Sequence, residues 1–127
     1  MIDAYKQGDN DRLAAHIHDD VDWLFLAPAS IFPFAGVRRG KVDVLKGLAT
    51  LYQGYRVSDH RIESMVVEGD RAATLSDGHL VQRTSGRIVR VRTANFYRLR
   101  AGKVIEHRGF TDSLDIAEQV LGRELDF

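Results

Sequence analysis

Side chains alternate faces along a β-strand, so chemistry carried by a strand is read two residues at a time. In the run Ile88 to Leu99, one face carries Val89, Val91, Thr93, Asn95, Tyr97 and Leu99. The other carries Arg90, Arg92, Ala94, Phe96 and Arg98. In Lys103 to Thr111, Ile105, His107, Gly109 and Thr111 share one face, and Glu106, Arg108 and Phe110 share the other. Apolar residues belong inside, so the first set of each strand is assigned inward. His107 is then an inward imidazole, which titrates near neutrality and can act as an acid or base in a pocket. Asn95 is an inward amide, able to polarise a carbonyl or stabilise an oxyanion. The structural alternative is a core histidine bonded to Asn95, Tyr97 or water, with the amide satisfying its neighbours.

A two-residue turn at Ser85-Gly86 would pair Leu80 with Val91, Gly78 with Thr93 and Ser76 with Asn95. Ser76 and Thr93 then join the inward set. Asp77 and His79 fall on the arginine face, with His79 opposite Arg92, unless a bulge at Gly78 turns them in. In the first strand Val21, Trp23 and Phe25 face inward. Trp23, Phe25, Phe34 and Tyr52 line a pocket or fill the core. With Ser76, Thr93, Tyr97 and Thr111 they form the expected binding surface for a small hydrophobic molecule. A mostly apolar cavity with a few convergent polar groups is how such sites are built. Proton transfer by His107 and Asn95 requires no cofactor. His16-Ile17-His18 is a poor metal site, because positions two apart on a helix point to different faces. No P-loop, dinucleotide fingerprint, nucleophile elbow or zinc motif occurs.

The elements that must position these residues follow from patterning. Residues 1–7 read as the end of a helix stopped by Gly8. The chain thus opens inside a helical pattern, and residues ahead of Met1 are expected. A second helix, capped by Asp9 or Asn10, runs to about His18. Val21 to Leu26 is a strand, and Ala27 to Gly40 an irregular loop holding Pro28, Pro33, Phe32 and Phe34. Residues 41–53 form the clearest amphipathic helix, with Val44, Leu45, Leu48, Leu51 and Tyr52 at helical spacing. Four strands follow: Val57 to Val67, Ala72 to Arg83, Ile88 to Leu99 and Lys103 to Thr111. Their turns fall at Gly69, Gly86 and Gly102, the pattern of an antiparallel meander. His60, with Ile62 and Val66, is a further candidate for the inner face, although the segment from Tyr55 to Glu63 alternates only weakly. Ser113 to Leu121 is a final helix, capped by Asp112 or Ser113 and stopped by Gly122. The expectation is one α+β domain over residues 1–127, with helices packed on one face of a curved sheet.

The chain has 127 residues, 18 Lys+Arg against 18 Asp+Glu, and no cysteine. The missing thiols exclude disulfides, cysteine nucleophiles and thiolate metal sites, and fit a reducing cytoplasm. No apolar run suits a membrane span, and the N-terminus lacks the apolar core of a signal peptide. The charge balance averages unequal regions. Arg83, Arg87, Arg90, Arg92, Arg98, Arg100, Lys103 and Arg108 face Glu106 alone in residues 83–108, while Asp3, Asp9, Asp11, Asp19, Asp20 and Asp22 dominate residues 1–22. The basic sheet face suits subunit pairing at least as well as a polyanion, so nucleic acid is not the expected partner.

Four stretches together resemble the nuclear transport factor 2-like superfamily, and within it the SnoaL-like polyketide cyclases and ketosteroid isomerase-like proteins. These are Ala4-Tyr5-Lys6-Gln7-Gly8-Asp9; Asp19-Asp20-Val21-Asp22-Trp23; Pro33-Phe34-Ala35-Gly36 with Arg39-Gly40; and Gly102-Lys103-Val104-Ile105-Glu106-His107 with Asp112, Leu114, Gln119 and Leu121-Gly122. The resemblance implies a cone-shaped α+β barrel with a pocket between helices and sheet, and a homodimer through the outer sheet face. It implies isomerase, cyclase, epoxide hydrolase or non-enzymatic binding roles. The ketosteroid isomerase catalytic positions fall near Met1, Phe25 and Asn95, and only Asn95 keeps hydrogen-bonding capacity. The epoxide hydrolase Asp-Arg-Asp positions fall near Ser76, Gly78 and Gly109, so that chemistry is missing. Asp112 matches the family's C-terminal aspartate, which makes it a catalytic candidate beside its reading as a helix cap.

Overall fold

The computed structural model describes residues 1–29 and 32–122. The helices are α1 (Ile2–Gln7), α2 (Asn10–Ala14), α3 (Lys41–Gly54) and α4 (Ser113–Leu121). The strands are β1 (Ile17–Leu26), β2 (Gly36–Arg39), β3 (Tyr55–Glu68), β4 (Arg71–Gln82), β5 (Ile88–Arg100) and β6 (Lys103–Thr111). They form one curved sheet in the order β2-β1-β6-β5-β4-β3. Only β1 with β6 is parallel. The sheet is open rather than closed into a barrel, with β2 and β3 as its edges. None of the helices among the described residues is long and apolar enough to cross a membrane.

Local chemistry sets the helix ends. Gly8 closes α1 in the left-handed conformation at φ 66°, which costs a glycine little. The Asp9 carboxylate caps α2 by accepting from the Arg12 N–H at 3.1 Å. The second helix stops at Ala14, four residues earlier than its sequence pattern indicates. Ile17 is fully buried and joins Val21, Val44 and Val104 in a small core cluster. Parallel pairing of Ile17 with Val104 recruits this segment into β1. The expected loop from Ala27 to Gly40 contains a short strand, β2, paired antiparallel to β1.

The β4–β5 connection is longer than the expected two-residue turn. The Gln82 N–H donates to Arg87 O and the Gly86 N–H to Gln82 O. Leu80 therefore pairs with Val89, Gly78 with Val91 and Ser76 with Thr93; Asp77 lies opposite Arg92 and His79 opposite Arg90. The shift is two residues, so every side chain keeps its expected face. Register shifts fall elsewhere than Gly78: two in β3, between Val57 and Asp59 and between Ile62 and Ser64, one in β6 near Ile105, and one in β1 between Ile17 and Asp22. An extra residue breaks the period of two, which explains the weak alternation of β3 and the burial of both Val104 and Ile105.

The larger core cluster joins Phe32, Leu51, Tyr55, Val57, Leu80, Val89, Val91 and Ile116. It binds α3 and α4 to the inner face of the sheet. On the outer face, Val66, Phe96, Phe110 and Leu26 are 41% to 65% exposed. The register places them in a band running from β3 to β1. The rings of Phe96 and Phe110 meet edge to face at 6.1 Å.

α4 docks where β6 stops covering β5. Gln119 accepts from the Arg90 N–H at 2.7 Å through Oε1 and donates to the Arg90 carbonyl at 2.9 Å through Nε2. One side chain thus replaces a missing strand partner. Gln119→Ala leaves both backbone groups without it and is expected to cost about 1–2 kcal/mol, read as a lower urea midpoint at unchanged m-value.

Candidate active site

A cavity of about 160 Å³ lies between the inner sheet face and the helices. Trp23, Phe25, Phe34, Leu48, Leu80 and Val91 supply much of its apolar wall, and Ser76, Thr93, Asn95, Tyr97 and His107 also line it. These polar groups stand on adjacent strands because β4, β5 and β6 pair in register there: Ser76 with Thr93, and Tyr97 with His107.

The polar groups bind one another. Asn95 Nδ2 lies 3.2 Å from Thr74 Oγ1, 3.2 Å from Ser76 Oγ and 3.4 Å from Thr93 O. A backbone carbonyl only accepts, so the amide nitrogen must face Thr93. Asn95 Oδ1 then faces His107 Nε2 at 3.0 Å, and the imidazole must carry its hydrogen on Nε2. His107 Nδ1 is left as a bare lone pair, buried and with no partner among the described residues. Trp23 lies against the ring at 4.0 Å and Tyr97 at 5.0 Å. Gly109 leaves the remaining space: a Cβ there would stand 3.0 Å from His107 Cε1 and 3.1 Å from Phe25 Cδ2. Burial, reinforced by the Arg108 charge, holds the imidazole down at about 3, so it is neutral near pH 7.

This geometry narrows two expected roles. Asn95 has its amide hydrogens directed at Thr74, Ser76 and Thr93, away from any substrate carbonyl. His107 has one nitrogen committed and the other closed off, so near neutrality it serves as a fixed dipole. Three expected site residues do not line the cavity. Tyr52 packs its ring beside Gly8, and its hydroxyl is buried without a partner among the described residues. Thr111 donates to Leu26 O at 2.7 Å, holding β6 to β1. Asp112 is exposed and caps α4, accepting from the Asp115 N–H at 3.0 Å. A residue just before a helix meets free N–H groups, and that contact decides its place.

A second polar group lines the cavity near α1: His60, whose inward placement the weak alternation of its strand left open, with Tyr5 and Asp59, which the sequence did not single out. The bulge between Val57 and Asp59 sets His60 opposite Gly78 on the inner face. Tyr5 meets the His60 ring edge-on at 5.2 Å. Burial pushes the Tyr5 hydroxyl up to about 12, with Tyr97 adding to the effect, so it remains a donor. Burial, then the Lys6 charge, pushes His60 below the ordinary histidine range. Arg38 also lines the cavity, lying across Gly47 of α3 and paired with Asp43 at 3.2 Å. On the outer face Asp77 is gripped by Arg90 at 2.9 and 2.7 Å and held down at about 2. His79 lies 3.9 Å from Asp59. Among the described residues, no group of three or more His, Asp or Glu side chains is placed to hold a metal ion.

Residues 1–107 match the SnoaL-like domain family. The chain belongs to that family, and its fold is that of nuclear transport factor 2-like proteins. A candidate isomerase from Rhodopseudomonas palustris is 32% identical and superposes with a TM-score of 0.88, over 96% of this chain and 93% of that one. A SnoaL-like polyketide cyclase candidate from Jannaschia sp. CCS1 is 21% identical, with a TM-score of 0.75 over 94% and 87%. An LEH-like epoxide hydrolase from M. tuberculosis is 16% identical, with a TM-score of 0.76 over 94% and 83%. At their low identity the last two likenesses concern the fold alone. No curated protein matches the sequence.

Neutral burial of His107 has a sign that can be tested. Its folded value lies below the unfolded one of roughly 6.5. Between the two the unfolded chain binds a proton that the native chain does not, so stability falls as pH drops from about 6.5 toward 3. His60, also lowered, contributes in the same direction. Urea midpoints from pH 6 to pH 4 should drop in the wild type. His107→Asn should flatten that drop by up to about 1.4 kcal/mol per unit; an unchanged slope would mean that the imidazole is already charged in the native state.

Proposed function

We propose that this protein binds a small hydrophobic carbonyl compound in the cavity and moves a proton on it, as an isomerase or cyclase that needs no cofactor. The observation carrying the reading is a mostly apolar pocket whose polar groups converge on one wall, from Thr74 through Asn95 to His107. Apolar cavities of roughly 150 Å³ take up molecules the size of benzene. A one- or two-ring compound is therefore the scale of ligand to consider. Trp23, Phe25 and Phe34 would stack on its faces, and Tyr97, Thr93 and Ser76 would orient its polar edge. The His107–Asn95 pair would present a fixed dipole to developing charge. The isomerase name of the 32%-identical R. palustris relative supports the same class. A cytoplasmic location goes with this reading and with a chain free of cysteine.

The second reading is a non-catalytic binding module of the same fold. It draws support from the way Asn95 and His107 spend their hydrogen bonds on protein rather than on the cavity. Trp23 is the sole tryptophan and lines the cavity, so binding can be followed by its fluorescence. With 2-tetralone as probe, saturable quenching and faster exchange of its α-protons in D₂O, followed by NMR, are expected. Quenching without exchange would favour the binding module, and neither effect would sink both.

The partner in this reading is a second copy of the chain. The exposed band of Val66, Phe96, Phe110 and Leu26 crosses the outer sheet face beside charges of both signs, including Glu63, Asp77, Arg90 and Arg92. Apolar strands left uncovered on this scale suit burial against a like surface. Light scattering should give the mass of two chains for the wild type and of one for Phe96→Asp/Phe110→Asp. A monomeric wild type would rule the dimer out.

A further inference from the structure

Two histidines line the cavity, and they differ in what their ring nitrogens can do. His107 has Nε2 committed to Asn95 and Nδ1 buried without a partner among the described residues. His60 is half-buried, lines the cavity, and has no hydrogen bond to either ring nitrogen among the described residues. Its strand partner is Gly78, where a Cβ would stand 3.3 Å from His60 Nδ1. The absence of a side chain there leaves the ring room. Tyr5, edge-on to that ring, likewise lines the cavity with a hydroxyl that no described residue bonds. Both groups thus stand on the cavity wall with hydrogen-bonding capacity that the described residues leave unused, which is where a ligand atom can be held.

We propose that the proton-transfer centre of this cavity is His60 with the Tyr5 hydroxyl, at the α1 end, and that the His107–Asn95 pair is its structural floor. The proposal rests on the reading that the cavity takes a small carbonyl compound, and it names the substrate class further: a carbonyl with an acidic C–H beside it. In the step, a neutral His60 nitrogen takes the proton from the carbon next to the carbonyl. The C–H electron pair becomes the new C=C bond, and the carbonyl pair moves to oxygen, which accepts a hydrogen bond from Tyr5. The imidazolium then returns the proton to the same carbon or to one conjugated with it, which exchanges or isomerises the compound.

The surroundings suit this cycle. His60 is neutral before the step, since burial and the Lys6 charge of α1 disfavour its cation. Once formed, the cation is favoured by the negative charges of Asp59 on its own strand and of Asp77 on the opposite face of the sheet. Asp59 also accepts from the His60 backbone N–H at 2.9 Å, which fixes the strand where the ring emerges. Tyr5 stays protonated far above neutral pH and so remains a donor throughout.

The test has two arms. Diethyl pyrocarbonate acylates accessible, unprotonated imidazoles, and peptide mapping assigns each adduct. On the wild-type protein His60 should be acylated and protected by 2-tetralone, while His107 stays unmodified. Acylation of His107 in the folded protein with its protection by 2-tetralone, or a His60 that never reacts, would overturn the proposal whether or not the protein is a catalyst. The second arm follows α-proton exchange of 2-tetralone. His60→Gln should lower the rate about 100-fold or more, and Tyr5→Phe should lower it while leaving quenching of Trp23 saturable. Wild-type exchange in a folded His60→Gln would remove His60 from the chemistry while leaving the proton-transfer reading standing. Absence of exchange in the wild type, with His60 still protected, would instead end that reading and leave His60 as the ligand contact.

Discussion

The hydrogen bond from His107 to Asn95 organises the inner face of the sheet. It joins β6 to β5, and through the Asn95 amide it reaches Thr74 and Ser76 on β4. An isolated polar group at that depth would cost several kcal/mol to bury. Mutual satisfaction removes most of that penalty, and it also fixes the amide orientation and the imidazole tautomer. The aromatic packing of Trp23 and Tyr97 on the imidazole follows from the same placement. So does the demand for glycine at position 109, where the ring needs the volume of a side chain.

That satisfaction has a chemical consequence. A group that has spent its hydrogen bonds on the protein is rigid and neutral, which suits shaping a cavity and stabilising charge but not carrying protons. The opposite end of the cavity is built differently. His60 sits on a bulged edge strand, half-covered by the short helix α1, with accessible nitrogens beside a tyrosine donor. The two ends thus divide the work between a closed scaffold and an open reactive pair. On the outer face Asp77 is paired with Arg90 and Arg61, Glu63 with Arg92 and Glu106 with Arg98, so several basic groups of that face are already answered from within.

Much of the architecture was legible because it rests on short-range rules. Alternation assigned Asn95, Thr93, Ser76, His107, Trp23 and Phe25 to the inner face, and all of them line the cavity. Asp9, Asp112, Gly8 and Gly122 marked helix ends through capping chemistry that depends on a few neighbouring residues. The misplacements came from distant contacts. The Ile17 segment follows a helical pattern until Val104 offers it a strand partner. The β4–β5 register slipped by two because turn length, unlike face, is not encoded in a period of two. The inward placement of His60 stayed open in the sequence because a bulge weakens the alternation that would fix it.

The sequence by itself determined which side chains face inward in the regular strands, where capping residues and glycines mark helix ends, and that no thiol is available for chemistry. These follow from side-chain periodicity, capping and composition, which are local. Only the tertiary structure decided which of the inward polar groups remain free. Asn95 and His107 are equally available on paper; in the fold they meet each other at 3.0 Å and close. Tyr5 and His60 lie 55 positions apart, and packing of α1 on β3 brings their rings to 5.2 Å. Hydrogen-bond capacity belongs to a residue, but whether it is already used depends on neighbours that come from remote parts of the chain.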